Sequence, residues 1–266
     1  MNPEDLEDSL RDAIIDDGER STPNHHFHPS QITGCPLKVH LDEMTRNETI
    51  LNSWLFQGSA VHYYLQQSGL MDDALKQAGY HPPTIEYEKN IKYPLRDDVW
   101  INGTCDILVE DDGSRVIYDI KYSSIPVESG HGRLYKYYSQ ANTYAQMFGA
   151  DDYGLIMINS RSQNLRQDIH VLEGELSDEN WSIVKDKALN IREALRAAGY
   201  YDGVEWDTDT LEDADIKFWE EVAAHFDRQQ IPAFDKECKY CDHSEYCPVK
   251  QGKLGGVNEI IEKNKN

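Results

Sequence analysis

Asp119 and Lys121 stand two residues apart in the apolar run Arg115–Tyr122, RVIYDIKY. Side chains alternate between faces along a β-strand, so Asp119 and Lys121 leave one face and Ile120 the other. The stretch Trp100–Val109 is also rich in β-branched and aromatic residues, and EDDGS at 110–114 between the two runs is a turn signal. A hairpin centred near Asp112 sets Asp106 opposite Tyr118 or Asp119. Two carboxylates and an amine are then side by side. Adjacent carboxylates raise each other's pKa unless a cation lies between them. A hard dication such as Mg²⁺ or Mn²⁺, which prefers oxygen ligands, suits that place. Such an ion polarises a phosphate oxygen and acidifies a water. Lys121 would stabilise charge on the phosphate or orient the water, and the main-chain carbonyl of Ile120 is a further ligand. The competing reading is a plain surface pair, since D-x-K alone is common; Asp106 at hairpin register and the apolar neighbours favour the chemical one.

Three more residues fit the same place. Gln140 and Tyr144 are four apart on a helical stretch, so they share a face that can grip a phosphate or stack on a base. Tyr144 could equally be a packed aromatic. His62, in GSAVHYYL, could complete a metal site, or be a satisfied core histidine. Separately, Cys238, Cys241 and Cys247 form C-x-x-C-x5-C, with Pro248 directly after. Thiolates so close together point to zinc or an iron–sulfur cluster, and both need a fourth ligand. Cys35, Cys105 and His243 are the candidates. Cys105 neighbours Asp106 on a strand, should face away from it, and reads as a buried apolar residue. Cys35, in TGCPLK at the head of a helix, is the favoured fourth ligand and would tie the start of the chain to its end. Zinc and cluster stay open on spacing alone.

The elements that must position these residues follow from periodicity and turn chemistry. Residues 1–29 read as an acidic, weakly ordered lead-in, with STPNHHFHP as a turn; His25, His26 and His28 lack a carboxylate or cysteine partner and read as loop rather than metal site. Ser30 stands as an N-cap before a short helix running to Met44, and a second helix runs from near Gly58 towards Ala78. Strands are expected at Ile85–Tyr93, Trp100–Val109 and Arg115–Tyr122. A helix follows at Leu134–Phe148, then strands at 154–160 and Leu165–Leu172, and helices at Ser177–Ala198 and Leu211–Asp227. This order predicts one α/β domain over 30–250 with a mixed sheet, and a flexible tail at 251–266.

Composition narrows the class. The 266 residues carry 26 Lys and Arg against 48 Asp and Glu, a net charge of −22 that opposes a simple nucleic-acid-binding surface. The charge is uneven: residues 121–166 hold five bases and three acids, whereas residues 201–222 hold nine acids and one base. The periphery reads as a solvated acidic surface, or as adaptation to a high-salt cytosol. The apolar content supports a globular fold, no apolar run is long enough to span a membrane, and the acidic start lacks a secretory signal. The expected compartment is therefore the cytoplasm, where cysteines serve as metal ligands before disulfides.

Taken in order, Gly58–His62 (G-x-x-x-H), Gly103–Asp106 (G-x-x-D), Asp119–Lys121 (D-I-K), Gln140–Tyr144 (Q-x-x-x-Y), Cys35-Pro36 and the three late cysteines resemble the RecB-type nucleases of the PD-(D/E)XK superfamily. The likeness is to their iron–sulfur branch, which includes the CRISPR-associated RecB-like exonucleases and the AddB nuclease domain. It implies a restriction-endonuclease-like core with a mixed central sheet flanked by helices, and a Cys-rich cluster-binding segment joining the N- and C-terminal parts. It implies metal ligation by His62, Asp106, Asp119 and the Ile120 carbonyl, a catalytic Lys121 beside Asp106 and Asp119, and substrate contacts from Gln140 and Tyr144. It implies a [4Fe–4S] cluster on Cys35, Cys238, Cys241 and Cys247, above zinc. The implied activity is Mg²⁺- or Mn²⁺-dependent exonucleolytic hydrolysis of DNA from 5′ ends of single strands, in recombination, repair, viral replication or CRISPR adaptation. The implied setting is a prokaryotic host or a virus-infected cell. The alternative is a DNA-end-processing adaptor acting within a recombination or spacer-acquisition complex. Asp119 stands where many members carry Glu, and the acidic surface and lead-in are not explained by the motifs.

Overall fold

The computed structural model describes residues 26–45, 53–80, 84–96, 98–124, 132–162, 168–199, 214, 216–225, 241, 243, 245 and 247–251. His25, Cys238, most of the acidic lead-in and most of the expected tail lie outside these residues. The strands are β1 (His26–Phe27), β2 (Thr84–Arg96), β3 (Val99–Asp111), β4 (Ser114–Ser123), β5 (Asp152–Asn159) and β6 (Ile169–Gly174). The helices are α1 (Pro29–Ile32), α2 (Pro36–Thr45), α3 (Ser53–Gln67), α4 (Leu70–Gln77), α5 (Gly132–Phe148), α6 (Asp178–Ala197) and α7 (Ile216–Ala223). The strands form one mixed sheet in the order β1-β3-β4-β5-β6, with β2 also pairing β3. β3 and β4 are antiparallel, β4 and β5 parallel, and β5 and β6 antiparallel. Two parallel neighbours need a crossover, and α5 supplies it. At the β3–β4 turn Asp112 has φ +47° and Gly113 φ +85°. Two left-handed central residues are what a two-residue hairpin of type I′ requires, and Asp-Gly tolerates them.

The chain divides into two compact units. The first holds residues 48–93 and 102–181 of the described chain, and its sheet carries a core on each face. Ile117, Leu155 and Met157 pack with Ala141, Tyr144 and Ala145 of α5. Ile107, Val109, Ile120 and Ile156 pack on the opposite face with Leu75, and with Val61 and Leu65 of α3. Asp119 and Lys121, in phase with Ile117, thus emerge on the α5 side. The expected single helix from Gly58 to Ala78 is two helices, because the chain breaks at Gly69, whose φ is +73°. No side chain adopts that conformation as cheaply as glycine.

The second unit holds residues 24–47, 94–101 and 182–266. Here the turn expected for His26–His28 is corrected. His26 and Phe27 pair with Trp100 and Ile101 as a parallel bridge, and Phe27 is buried. Burying that ring outweighs the local turn signal of the polar residues around it. The cap shifts as well. His28, not Ser30, precedes α1, with Pro29 at its first position and the His28 N–H donating to Gln31 Oε1 at 2.9 Å. Cys35 stands just ahead of a separate helix, α2. Arg192 pairs with Asp98 at 2.9 Å and Arg96 with Glu193 at 2.7 Å. Among the described residues, no helix is long and apolar enough to cross a membrane.

Candidate active site

The site lies in the first unit, where the β3–β4 ladder ends. It runs as far as Ile107 opposite Tyr118, so the next position brings Asp106 level with Asp119. There Asp106 Oδ2 accepts the Ile120 N–H at 2.6 Å. A carboxylate stands where a strand carbonyl would, which ties Asp106 to the backbone between Asp119 and Lys121. Strict alternation is also broken here. Cys105 packs with Leu108 and Ile117, whereas Ile107 and Val109 belong to the other face. Cys105 is nonetheless buried, as an apolar residue should be. Burial, and then the Asp106 charge, pushes its thiol up to about 12, so it stays neutral.

Two other elements bring donors to Asp106. His62, on α3, holds Nδ1 at 3.4 Å from Asp106 Oδ1. Glu88, on β2, is the third member: one ligand atom each from His62, Glu88 and Asp106 lies within 4.8 Å of the others. Glu88 has φ +48°, a left-handed conformation inside a strand that costs about 1–3 kcal/mol and re-aims a side chain. Mixed imidazole and carboxylate donors suit Mn²⁺ and, through the oxygens, Mg²⁺. The donor set therefore fits a divalent cation. Sequence reasoning missed Glu88, because nothing in EYEKN separates it from Glu86.

Asp119 is fully buried beside this set, and its Oδ2 lies 2.7 Å from Lys121 Nζ. Burial raises the Asp119 pKa; the Lys121 charge opposes the rise and the Asp106 charge adds to it. Burial would lower the Lys121 pKa, but the carboxylates of Asp119 and Asp106 outweigh it and the net shift is upward. Burial likewise opposes protonation of His62, and the hydrogen bond and charge of Asp106 more than offset it. Lys121 Nζ also lies 5.4 Å from the centroid of the Tyr137 ring, within cation–π range. Tyr137 is a second residue that sequence reading missed. It is on the same face of α5 as Gln140 and Tyr144, at positions i, i+3 and i+7.

Gln140 and Tyr144 are both buried and hydrogen-bond through their side chains. The Tyr144 hydroxyl is held well above its usual range by burial, and then by the charges of Asp119 and Asp106. Tyr144 is thus both a packed aromatic and a neighbour of the carboxylates. Ile120 contributes its main chain here, while its side chain is buried on the opposite face. The cysteine group belongs to the second unit. Cys35, Cys241 and Cys247 are half-buried thiols. His243, between the last two, is fully buried with Nε2 2.5 Å from Asp42 Oδ1 of α2. Among the described residues, these cysteines do not form a second set of ligand atoms as tight as that around Asp106.

Among solved structures, "Crystal structure of SSO0001" is similar with a TM-score of 0.53 and 17% identity, covering 92% of this chain and 96% of that one. An alkaline exonuclease from Laribacter hongkongensis gives a TM-score of 0.46 and 13% identity over 66% of this chain and 90% of that one. The same enzyme in complex with dAMP gives 0.39 and 13% over 65% and 93%. No curated protein matches. The family model described as the PD-(D/E)XK nuclease superfamily matches residues 58–248, a span that runs from the start of the G-x-x-x-H motif to Pro248. With its mixed sheet flanked by helices and its carboxylates at the end of the β3–β4 ladder, the chain belongs to the PD-(D/E)XK nuclease superfamily and has a restriction-endonuclease-like core.

Proposed function

We propose that this protein is a Mg²⁺- or Mn²⁺-dependent deoxyribonuclease of the RecB-like, iron–sulfur branch. It hydrolyses phosphodiester bonds exonucleolytically, from 5′ ends of single-stranded DNA, in recombination, repair, viral replication or CRISPR adaptation. One observation carries the chemistry: donors from His62, Glu88 and Asp106 converge beside the Asp119–Lys121 pair. His62, Glu88, Asp106, Asp119 and the Ile120 carbonyl hold the dication, which supplies Lewis-acid stabilisation of phosphate charge and a more acidic water. Lys121 places its ammonium against the non-bridging oxygens of the scissile phosphate, held in place by Asp119 and Tyr137. Gln140 and Tyr144 support the substrate from α5. Water attacks phosphorus in line with the leaving 3′ oxygen.

In the second unit, Cys35, Cys238, Cys241 and Cys247 hold a [4Fe–4S] cluster. Half-buried thiols at Cys35, Cys241 and Cys247 suit thiolate ligation. The likeness of the cysteine pattern to the iron–sulfur branch favours the cluster over zinc. The bound cluster would brace residues far apart in the chain.

The test is digestion of 5′- and 3′-labelled single- and double-stranded DNA with Mg²⁺, Mn²⁺ or EDTA, alongside iron content and the visible absorbance of the purified protein. Shortening from the 5′ end of single strands that stops in EDTA is expected. Lys121→Ala should lower kcat by about 10²–10³ with the fold and the brown colour unchanged. Cleavage at the wild-type rate by both Asp119→Ala and Lys121→Ala would overturn the assignment.

A further inference from the structure

Gln66 lies one helical turn after His62 on α3, so the two side chains share a face. His62 meets the Asp106 carboxylate, and Gln66 meets its neighbour on β2. Gln66 Nε2 donates to Glu88 Oε1 at 2.6 Å and lies 3.4 Å from the Asp106 carbonyl oxygen. Gln66 is buried, whereas Glu88 is on the exposed side of its strand. An exposed glutamate has three rotatable bonds and, left to itself, samples many rotamers. Here a buried amide holds one of its oxygens, and the Glu88 backbone is left-handed, with φ +48°. A carboxylate oxygen of Glu88 also lies within 4.8 Å of ligand atoms of His62 and Asp106.

We propose that Gln66 is a positioning residue for the metal centre. By fixing one oxygen of Glu88, it makes Glu88 a single-oxygen donor next to His62 and Asp106, and so sets the affinity of the site for the dication. A single helical turn thereby aligns ligands from two different strands. The inference rests on the reading of His62, Glu88 and Asp106 as ligands of a dication. Loss of such a supporting partner commonly lowers metal affinity 10–100-fold.

Titration of the full-length protein with Mn²⁺ alone, followed by the electron paramagnetic resonance of free Mn²⁺, tests this without any turnover. Gln66→Met keeps the volume of the buried chain and removes its donors; Gln66→Ala is the second variant should the first fold poorly. The expected result is Mn²⁺ binding about 10–100-fold weaker, with metal-free melting close to wild type. Glu88→Ala should weaken binding too, and Gln66→Met combined with Glu88→Ala should be no weaker than Glu88→Ala alone, because Gln66 acts through Glu88. Wild-type Mn²⁺ affinity in Gln66→Met, or losses that multiply in the double variant, would overturn the proposal. Wild-type affinity in both His62→Ala and Asp106→Ala would instead overturn the metal centre underneath it.

Discussion

Asp106 uses its two carboxylate oxygens differently. Oδ2 accepts the Ile120 amide at 2.6 Å, and Oδ1 faces His62 at 3.4 Å. The first contact is structural and the second belongs to the site, so the two can be separated by substitution. Asp106→Asn keeps an acceptor for the amide, whereas Asp106→Ala leaves that N–H without one, at about 1–3 kcal/mol. Urea unfolding of the metal-free protein should therefore rank Asn close to wild type and Ala below it, with cleavage lost in both. Equal stability of the two variants would show that the Ile120 contact contributes nothing. The placement of Asp106 beside Asp119 was legible in the sequence to within one residue, since turn length and strand period set it. Glu88 was not, because its role depends on one left-handed backbone position and on a glutamine from another element. Tyr137 was within reach of the helical-face spacing that had already paired Gln140 with Tyr144, since it lies three residues before Gln140.

At the scale of elements, close approach decides what the strands tolerate. Gly154 of β5 lies level with Tyr118 of β4, and a Cβ there would stand 2.9 Å from Tyr118 Cε1 and 3.3 Å from the Leu172 carbonyl oxygen. The Tyr118 ring cannot easily yield, because its hydroxyl hydrogen-bonds Tyr80 at 2.9 Å. Gly154→Ala should cost about 1–3 kcal/mol of overpacking, read as a lower urea midpoint at unchanged slope. Helix α2 makes a pH-dependent contribution. Burial, and then the charge of His225, pushes the His40 pKa from 6.5 down to about 3. Between those values the unfolded chain binds the proton and the folded one does not, so stability is lost as pH falls through that window. Glu43 has the opposite sign. Burial and Asp42 raise its pKa from 4.5 to about 7, so its share of stability is lost as pH rises across that range. His40→Gln should therefore lose less stability than wild type on acidification from neutral pH, and Glu43→Gln should lose less between mildly acidic and neutral pH. Parallel pH profiles for the variants and the wild type would refute both signs.

At the scale of the molecule, the net charge of −22 governs solution behaviour more than the fold. Like charges spread over a surface repel, and salt screens them: the Debye length falls from about 10 Å at 0.1 M to about 3 Å at 1 M. The melting temperature should rise as KCl increases over that range. A flat response would mean that the acids are too far apart to strain the folded state, and would remove the reason to expect adaptation to a high-salt cytosol. Under the proposed function, a DNA strand would have to be held by local groups such as Lys121 and a bound dication, since the whole-molecule field opposes it.

The sequence alone determined the features that depend on near neighbours. Strand period put Asp119 and Lys121 on one face, the Asp-Gly turn set the hairpin register to within one residue, and helical spacing paired Gln140 with Tyr144. These are local rules, readable over a few residues. It misjudged His26–His28, where burial of Phe27 against β3 overrode a turn composition, and it saw one helix where Gly69 makes two. Only the tertiary structure decided which distant groups meet: His62 and Gln66 from a helix, Glu88 from a strained point on β2, and Tyr137 over the lysine. The physical reason is that a metal site selects donors by distance in space, and spacing along the chain carries no record of which separate elements the fold will bring within a few ångströms.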